Sequence, residues 1–141
     1  MIQLNEIHSM PVDDHPLAFK SALALAKQIR NKEIGALELL EHYLQRVERY
    51  NPALNAIIFT QVEKARERAK TADAALARGE VWGPLHGLPM TIKECFDWVG
   101  SPSTWGNPVY KENYPERDAV AVQRMEGAGA IIFGKTNVPL M

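Results

Sequence analysis

Gly127-Ala128-Gly129-Ala130-Ile131-Ile132-Phe133-Gly134-Lys135-Thr136-Asn137-Val138-Pro139 is the stretch on which the fold turns. Its centre, Ala130 to Phe133, is a short apolar run bounded by breakers, which reads as a buried strand. Gly127-Ala128-Gly129 ends whatever precedes it, and Asn137-Val138-Pro139 opens a loop. The same string also contains a literal Walker A match, Gly129 to Thr136. A phosphate loop needs a turn whose amides face the ligand between a strand and a helix. Here Ala-Ile-Ile-Phe prefers to be the strand itself, and Asn137-Val138-Pro139 is no helix start. Nucleotide binding is therefore rejected.

Upstream, Asp118 is placed as the N-cap of a short helix through Glu126. Before it, residues 97–117 are rich in Pro, Gly, Ser and Asn, the composition of a long loop. Earlier still, Met90-Thr91-Ile92-Lys93 reads as a buried strand after the turn-rich segment Gly83-Pro84-Leu85-His86-Gly87-Leu88-Pro89. From residue 80 the order is strand, loop, helix, strand, which is the α/β pattern.

Residues 1–79 read as mainly helical. Met1 to His15 is an irregular lead-in. Leu17, Ser21, Leu25 and Ile29 recur at helical spacing; Gly35 interrupts; Leu37, Leu40, Leu44 and Val47 form a second stripe. Asn51-Pro52 is read as the stop of that helix, because proline disfavours helical geometry in the residue before it. Ala56 to Phe59 is a strand, and Val62 to Arg78 is an alanine-rich helix with Ala65, Ala69, Ala72 and Leu76 inward and Gly79 as its terminator.

The bulk numbers exclude several classes. The chain has 141 residues, 46% hydrophobic and 23% charged, which suits an ordinary globular domain. The net charge is -1 with no basic block, so neither a nucleic-acid footprint nor a polybasic membrane anchor is expected. No stretch approaches the roughly 20 apolar residues that span a bilayer. Met1 to Pro16 lacks the pattern of a secretory signal, which makes the cytoplasm the default localisation. Cys95 is the single cysteine, so no internal disulfide forms. His8, His15, His42 and His86 are scattered without metal-ligand spacing. His86 is expected to order the turn before the strand, and Lys135 and Asn137 to hold the loop after the second strand. Trp82, Trp98 and Trp105 lie near the Lys93 segment in the sequence. They are read as packing residues, with Trp98 and Trp105 able to reach an apolar substrate from the loop. Ser101, Ser103 and Thr104 are read as loop chemistry that lines the approach to a site.

Two stretches, Gly83 to Glu94 and Gly127 to Pro139, in this order and separated by the Asp118-Ala119 helix start, closely resemble the amidase-signature family. The helices from 17 to 79 and their Asn51-Pro52 break resemble that family's N-terminal helices, so the resemblance covers most of the chain. It implies an α/β fold: N-terminal helices, then the first strands of a mixed sheet flanked by helices, within a single domain of which 1–141 is the N-terminal part. It also implies hydrolysis of a small-molecule carboxylic amide through a Ser–cis-Ser–Lys triad, with no metal or organic cofactor. Lys93 aligns with the family's lysine, the general base acting through a bridging serine; a second serine forms the acyl-enzyme. Both serines are expected beyond Met141, so the chain alone is expected to be inactive. Where many members carry Asp after the lysine, this chain has Glu94.

Taken alone, Lys93 reads first as a strand-end lysine that snorkels to water, and the motif around it is what points to the base. A lysine that is to accept a proton must be desolvated, because burial disfavours the ammonium; Lys93 is therefore expected to be buried in the complete enzyme. The contiguous Lys93-Glu94-Cys95 suggests a rival Cys-Glu-Lys triad, but in a continuing strand Glu94 points away from the other two. A second class of function is a non-catalytic binding or assembly module on a degenerate amidase scaffold. Because a piece of a sheet exposes an edge and apolar faces, the 141-residue chain is expected to self-associate or to be poorly soluble unless something covers them. Sedimentation velocity checks this, and a monodisperse, stable monomer contradicts it.

Overall fold

The computed structural model describes residues 16–141; the lead-in, with His8 and His15, lies outside the described residues. A 3-10 turn at Pro16–Phe19 is followed by α1 (Ala22–Arg30), α2 (Ala36–Leu54), β1 (Ile57–Thr60), α3 (Val62–Ala77), β2 (Pro89–Lys93), a second 3-10 turn at Pro108–Tyr110, α4 (Val120–Gly127) and β3 (Ile131–Thr136). The strands form one mixed sheet in the order β1-β3-β2. β2 runs parallel to β3, and β1 runs antiparallel to it.

β3 is the centre of the sheet because its side chains are apolar in both directions. Ile131 and Phe133 pack with Ala36 and Leu40 of α2 and with Ala65, Ala69 and Ala72 of α3. Ile132 packs on the other face with Ile92, Trp98 and Val122 of α4. Helices thus cover both faces, which is what a near-continuous apolar strand requires. The alanine face of α3 is buried as the spacing predicts, with Ala75 added. Small side chains bury little area each, but they let a helix approach the sheet closely.

The second helix carries two apolar faces, of which the sequence stripe showed one. Leu37, Leu40, Leu44 and Val47 lie on the sheet side. Leu39 is fully buried on the other, against Leu25 and Ile29 of α1 and Leu76 of α3. Fully burying one such leucine contributes about 1.5–3 kcal/mol.

Several boundaries differ from the sequence reading, and four of the differences have a clear physical reason. Ser21 is not part of the α1 stripe but its N-cap, its side chain accepting from the Ala24 amide at 3.2 Å. Pro52 lies inside α2, which ends two residues later at Leu54 with Asn55 left-handed (φ 48°). A proline in the last turn leaves the Glu48 carbonyl without its amide partner and crowds it with its ring, so the helix ends soon after; the Asn51 side chain then organises the exit, accepting from the Ala56 and Ile57 amides. Asp118 does not cap α4: Ala119 holds that position without a side-chain bond, and the Asp118 carboxylate instead accepts from the Val99 amide at 2.7 Å. Finally, β3 runs past Phe133 through Gly134, Lys135 and Thr136. Gly134 permits this because a Cβ there would sit 2.8 Å from the Phe59 carbonyl oxygen. The residues of the Walker-like string from Ile131 to Thr136 are therefore strand, and no helix follows them among the described residues.

Asp73 of α3 caps α2 from 36 residues away. Its carboxylate accepts from the Ala36 and Leu37 amides at 2.7 and 3.1 Å, filling the role that Gly35 cannot perform. Negative charge is favoured at such a terminus. Asp73→Ala is expected to destabilise the chain by about 1–2 kcal/mol, the cost of a lost cap, read as a lower urea midpoint at unchanged slope.

Candidate active site

The two stretches that frame Lys93 are one structural unit. Leu85 donates to the Ala128 carbonyl, Gly87 to Gly129, and Ile131 to Leu88, each at 2.9 Å, before the β2–β3 ladder begins. Gly129 makes the entry possible: its φ is 100°, and a Cβ there would meet the His86 Cα at 2.6 Å. His86 is buried and orders the turn as expected. Its Nδ1 accepts from the Trp82 amide, and its Nε2 donates to the Ala72 carbonyl, both at 3.1 Å.

β2 delivers Lys93 to its C-terminal end, opposite Thr136 of β3. Ligands in α/β sheets gather outside the carboxyl ends of parallel strands. The Lys93 side chain is exposed, and among the described residues it makes no hydrogen bond or ion pair. Met90, Ile92 and the neighbouring helices therefore do not desolvate it. Glu94, by contrast, is buried, and its carboxylate accepts from the Thr104 and Trp105 amides. Cys95 is half-buried. Lys93 and Glu94 thus point into different surroundings.

The loop 97–117 is closed at its base. Ala119 donates to the Asp97 carbonyl at 2.9 Å, and Val99 donates to Asp118. Inside it, Ser103 and Asn113 exchange two hydrogen bonds, at 2.9 and 2.7 Å. Ser101 and Ser103 are fully buried, their hydroxyls donating to the Trp98 and Phe96 carbonyls. They are loop chemistry, as read, but they line no approach.

The tryptophans do not form a cluster. Trp98 is fully buried in the core, so it cannot meet a substrate. Trp82 stacks edge-on with His86 and lies under Arg68 at 5.0 Å. Trp105 is 38% exposed, left-handed (φ 51°), and packs edge-on with Tyr110. Asn137 holds the loop after β3 as expected, donating to the Asn55 carbonyl at 3.1 Å.

Sequence reasoning understated the second lysine. Lys135 is completely buried, and its Nζ donates to the Pro102 carbonyl at 2.7 Å and to Ser103 Oγ at 3.0 Å. Burial pushes its ammonium below the ordinary value of 10.5, against the opposing pull of Glu94, Asp97 and Cys95. The apolar run ends at Phe133 and Gly134 follows it, so no local signal showed that the strand continues through Lys135.

The amidase family model matches residues 38–141. Indoleacetamide hydrolase from Bradyrhizobium diazoefficiens is 40% identical over 84% of this chain and 23% of its own length. Acylamidase from Rhodococcus erythropolis is 36% identical over 87% of this chain and 26% of its own length. Among solved structures, the native peptide amidase from Stenotrophomonas maltophilia superposes with a TM-score of 0.77 at 30% identity, over 86% of this chain and 25% of that one. Fatty acid amide hydrolase shares the fold, with a TM-score of 0.83 at 23% identity over 96% of this chain and 24% of that one. The chain spans about a quarter of the length of these relatives.

The folded state holds the Lys135 proton less tightly than the unfolded chain does. The contribution of Lys135 to stability therefore rises with pH from the lowered value up to the ordinary 10.5, because at this group the unfolded state binds more protons over that interval. Urea midpoints of the wild type and Lys135→Met, measured as pH approaches 10.5, check this. The wild type is expected to gain on the variant as pH rises.

Proposed function

The chain belongs to the amidase family, and from that premise we propose that it supplies the general base, Lys93, of an enzyme that hydrolyses a carboxylic amide to an acid and ammonia or an amine. The observation that carries this reading is the contrast between the two lysines at the carboxyl end of the sheet. Lys135 is buried, with its donors committed to Pro102 and Ser103. Lys93 stands exposed at the end of its strand with no partner among the described residues. A base must be free to reach the group it deprotonates, and Lys93 has that freedom where Lys135 does not.

The nucleophilic and bridging serines are supplied by polypeptide that continues this chain. Packing of that polypeptide against the carboxyl end of the sheet provides the desolvation that a neutral lysine requires. In the reaction, Lys93 draws a proton through the bridging serine, the nucleophilic serine attacks the amide carbon, and the amine leaves as its nitrogen is protonated. Water then releases the acid by the same proton path. Residues 1–141 contribute the base and the scaffold behind it and are inactive by themselves.

The alternative is a binding or assembly module without chemistry. The open apolar groove between α2 and the sheet, about 360 Å³ and lined by Tyr43, Val47, Tyr50, Leu54, Ile57 and Met90, is what such a module would offer. The coding DNA beyond codon 141 separates the two: a frame that continues into a glycine- and serine-rich segment supports the amidase, and a stop codon favours the module. In the continued protein, Lys93→Ala is expected to lower kcat by about 10²–10⁴-fold, the usual contribution of a general base. In residues 1–141 alone, where Lys93 is exposed, stability should change by no more than about 0.5 kcal/mol. Amide turnover of the continued protein and thermal unfolding of residues 1–141 check the two, and a variant with wild-type kcat removes Lys93 from the mechanism.

A further inference from the structure

Four consecutive loop residues are gripped from two sides by the ends of β2 and β3. Lys135 Nζ takes the Pro102 carbonyl and the Ser103 hydroxyl. The Glu94 carboxylate takes the next two amides, of Thr104 and Trp105. The polarity matches at each point, with an ammonium on oxygens and a carboxylate on N–H groups, and both side chains are buried. Charge-assisted bonds of this kind are the strong ones. The grip holds Trp105 left-handed at φ 51°, a conformation disfavoured for a residue of its size.

Glu94 is the residue after Lys93, and its own amide donates to the Thr136 carbonyl at 3.0 Å, extending the β2–β3 ladder one step past the lysine. The Lys93 carbonyl accepts from the Phe96 amide at 3.0 Å. The main chain at Lys93 is thus fixed from the ladder, from the turn and, through Glu94, from the loop. We propose that Glu94 is a positioning residue for Lys93: with Lys135 it clamps residues 102–105, and the clamp fixes the direction in which the β2 end presents the lysine. The proposal rests on the reading of Lys93 as the base. A misplacement of a reacting group by about 1 Å costs on the order of 10²-fold in rate, so the orientation of a long, otherwise unsupported side chain matters.

Glu94→Gln keeps the shape but places an NH2 against one of the two amides, leaving that amide without an acceptor. The test uses the continued, serine-bearing enzyme, with p-nitroacetanilide and benzamide as substrates and a fluorophosphonate to titrate active serines. Glu94→Gln is expected to lower kcat per titrated site by about 10–100-fold with KM within about 3-fold. Amide exchange at Thr104 and Trp105 should quicken, and Glu94→Asp should recover part of the rate. If exchange quickens while kcat per titrated site stays at the wild-type value, the clamp is architectural and the positioning role is overturned. If Glu94→Gln does not fold, Ser103→Ala decides. It loosens the Lys135 side of the grip and is expected to lower kcat by about 3–10-fold at unchanged KM, and an unchanged kcat again overturns the proposal. An unsubstituted enzyme that reacts with the fluorophosphonate but hydrolyses no amide sinks the amidase reading itself, an outcome visible without any variant.

Discussion

Everything at the candidate site hangs on the parallel pairing of β2 with β3. Parallel strands cannot be joined by a tight turn, so a crossover must lie between them. Here the crossover is the closed loop 97–117 followed by α4. The pairing begins before the strands do, at Leu85–Ala128 and Gly87–Gly129, and it ends one residue after Lys93, at Glu94–Thr136. Lys93 owes its place at the carboxyl end of the sheet to that ladder, and the apolar residues of β3 hold the ladder between two helical layers.

The crossover explains the division of labour between the two lysines. A long loop beside a sheet carries backbone groups that must find partners once water is excluded. Lys135 and Glu94 provide them from the strand ends, and Asp118 and Asn113 do so from within the connection. Lys135 is therefore consumed by the architecture at the cost of its own solvation. Lys93, one strand over, has no such duty among the described residues and is left to reach outward. Helix α3 serves the same site from behind: Asp73 caps α2, and Arg68 donates to the Glu126 and Ala130 carbonyls at 2.6 and 2.9 Å, tying the end of α4 to the start of β3.

Much was legible in the sequence. The apolar run Ala130 to Phe133, the turn-rich lead to Met90–Lys93 and the alanine spacing of α3 each carry a local signal, and together they give the α/β order and the helical half before it. The family was legible because two motifs occur in the right order. Lys93 could be singled out from that match, as could its place at a strand end, since alternation and breakers are properties of the chain itself. The Walker-like string could be dismissed for the same reason.

Tertiary structure decided what local pattern cannot carry. The Asp118 carboxylate had a choice between the helix behind it and the amide of Val99, and loop closure won. The cap of α2 came from Asp73, which is remote in sequence and shows no capping signature. Trp98, read as a packing residue, was drawn fully into the core, away from any substrate. Lys135, read as holding the loop after the strand, is instead buried within the strand and grips the crossover loop. Asp118, Asp73 and Lys135 each found their partners across the fold. Burial makes an unpaired group costly, so the choice of partner depends on which groups lose water together. The order of residues determines which elements form; only their packing determines which polar groups are stranded and must be satisfied.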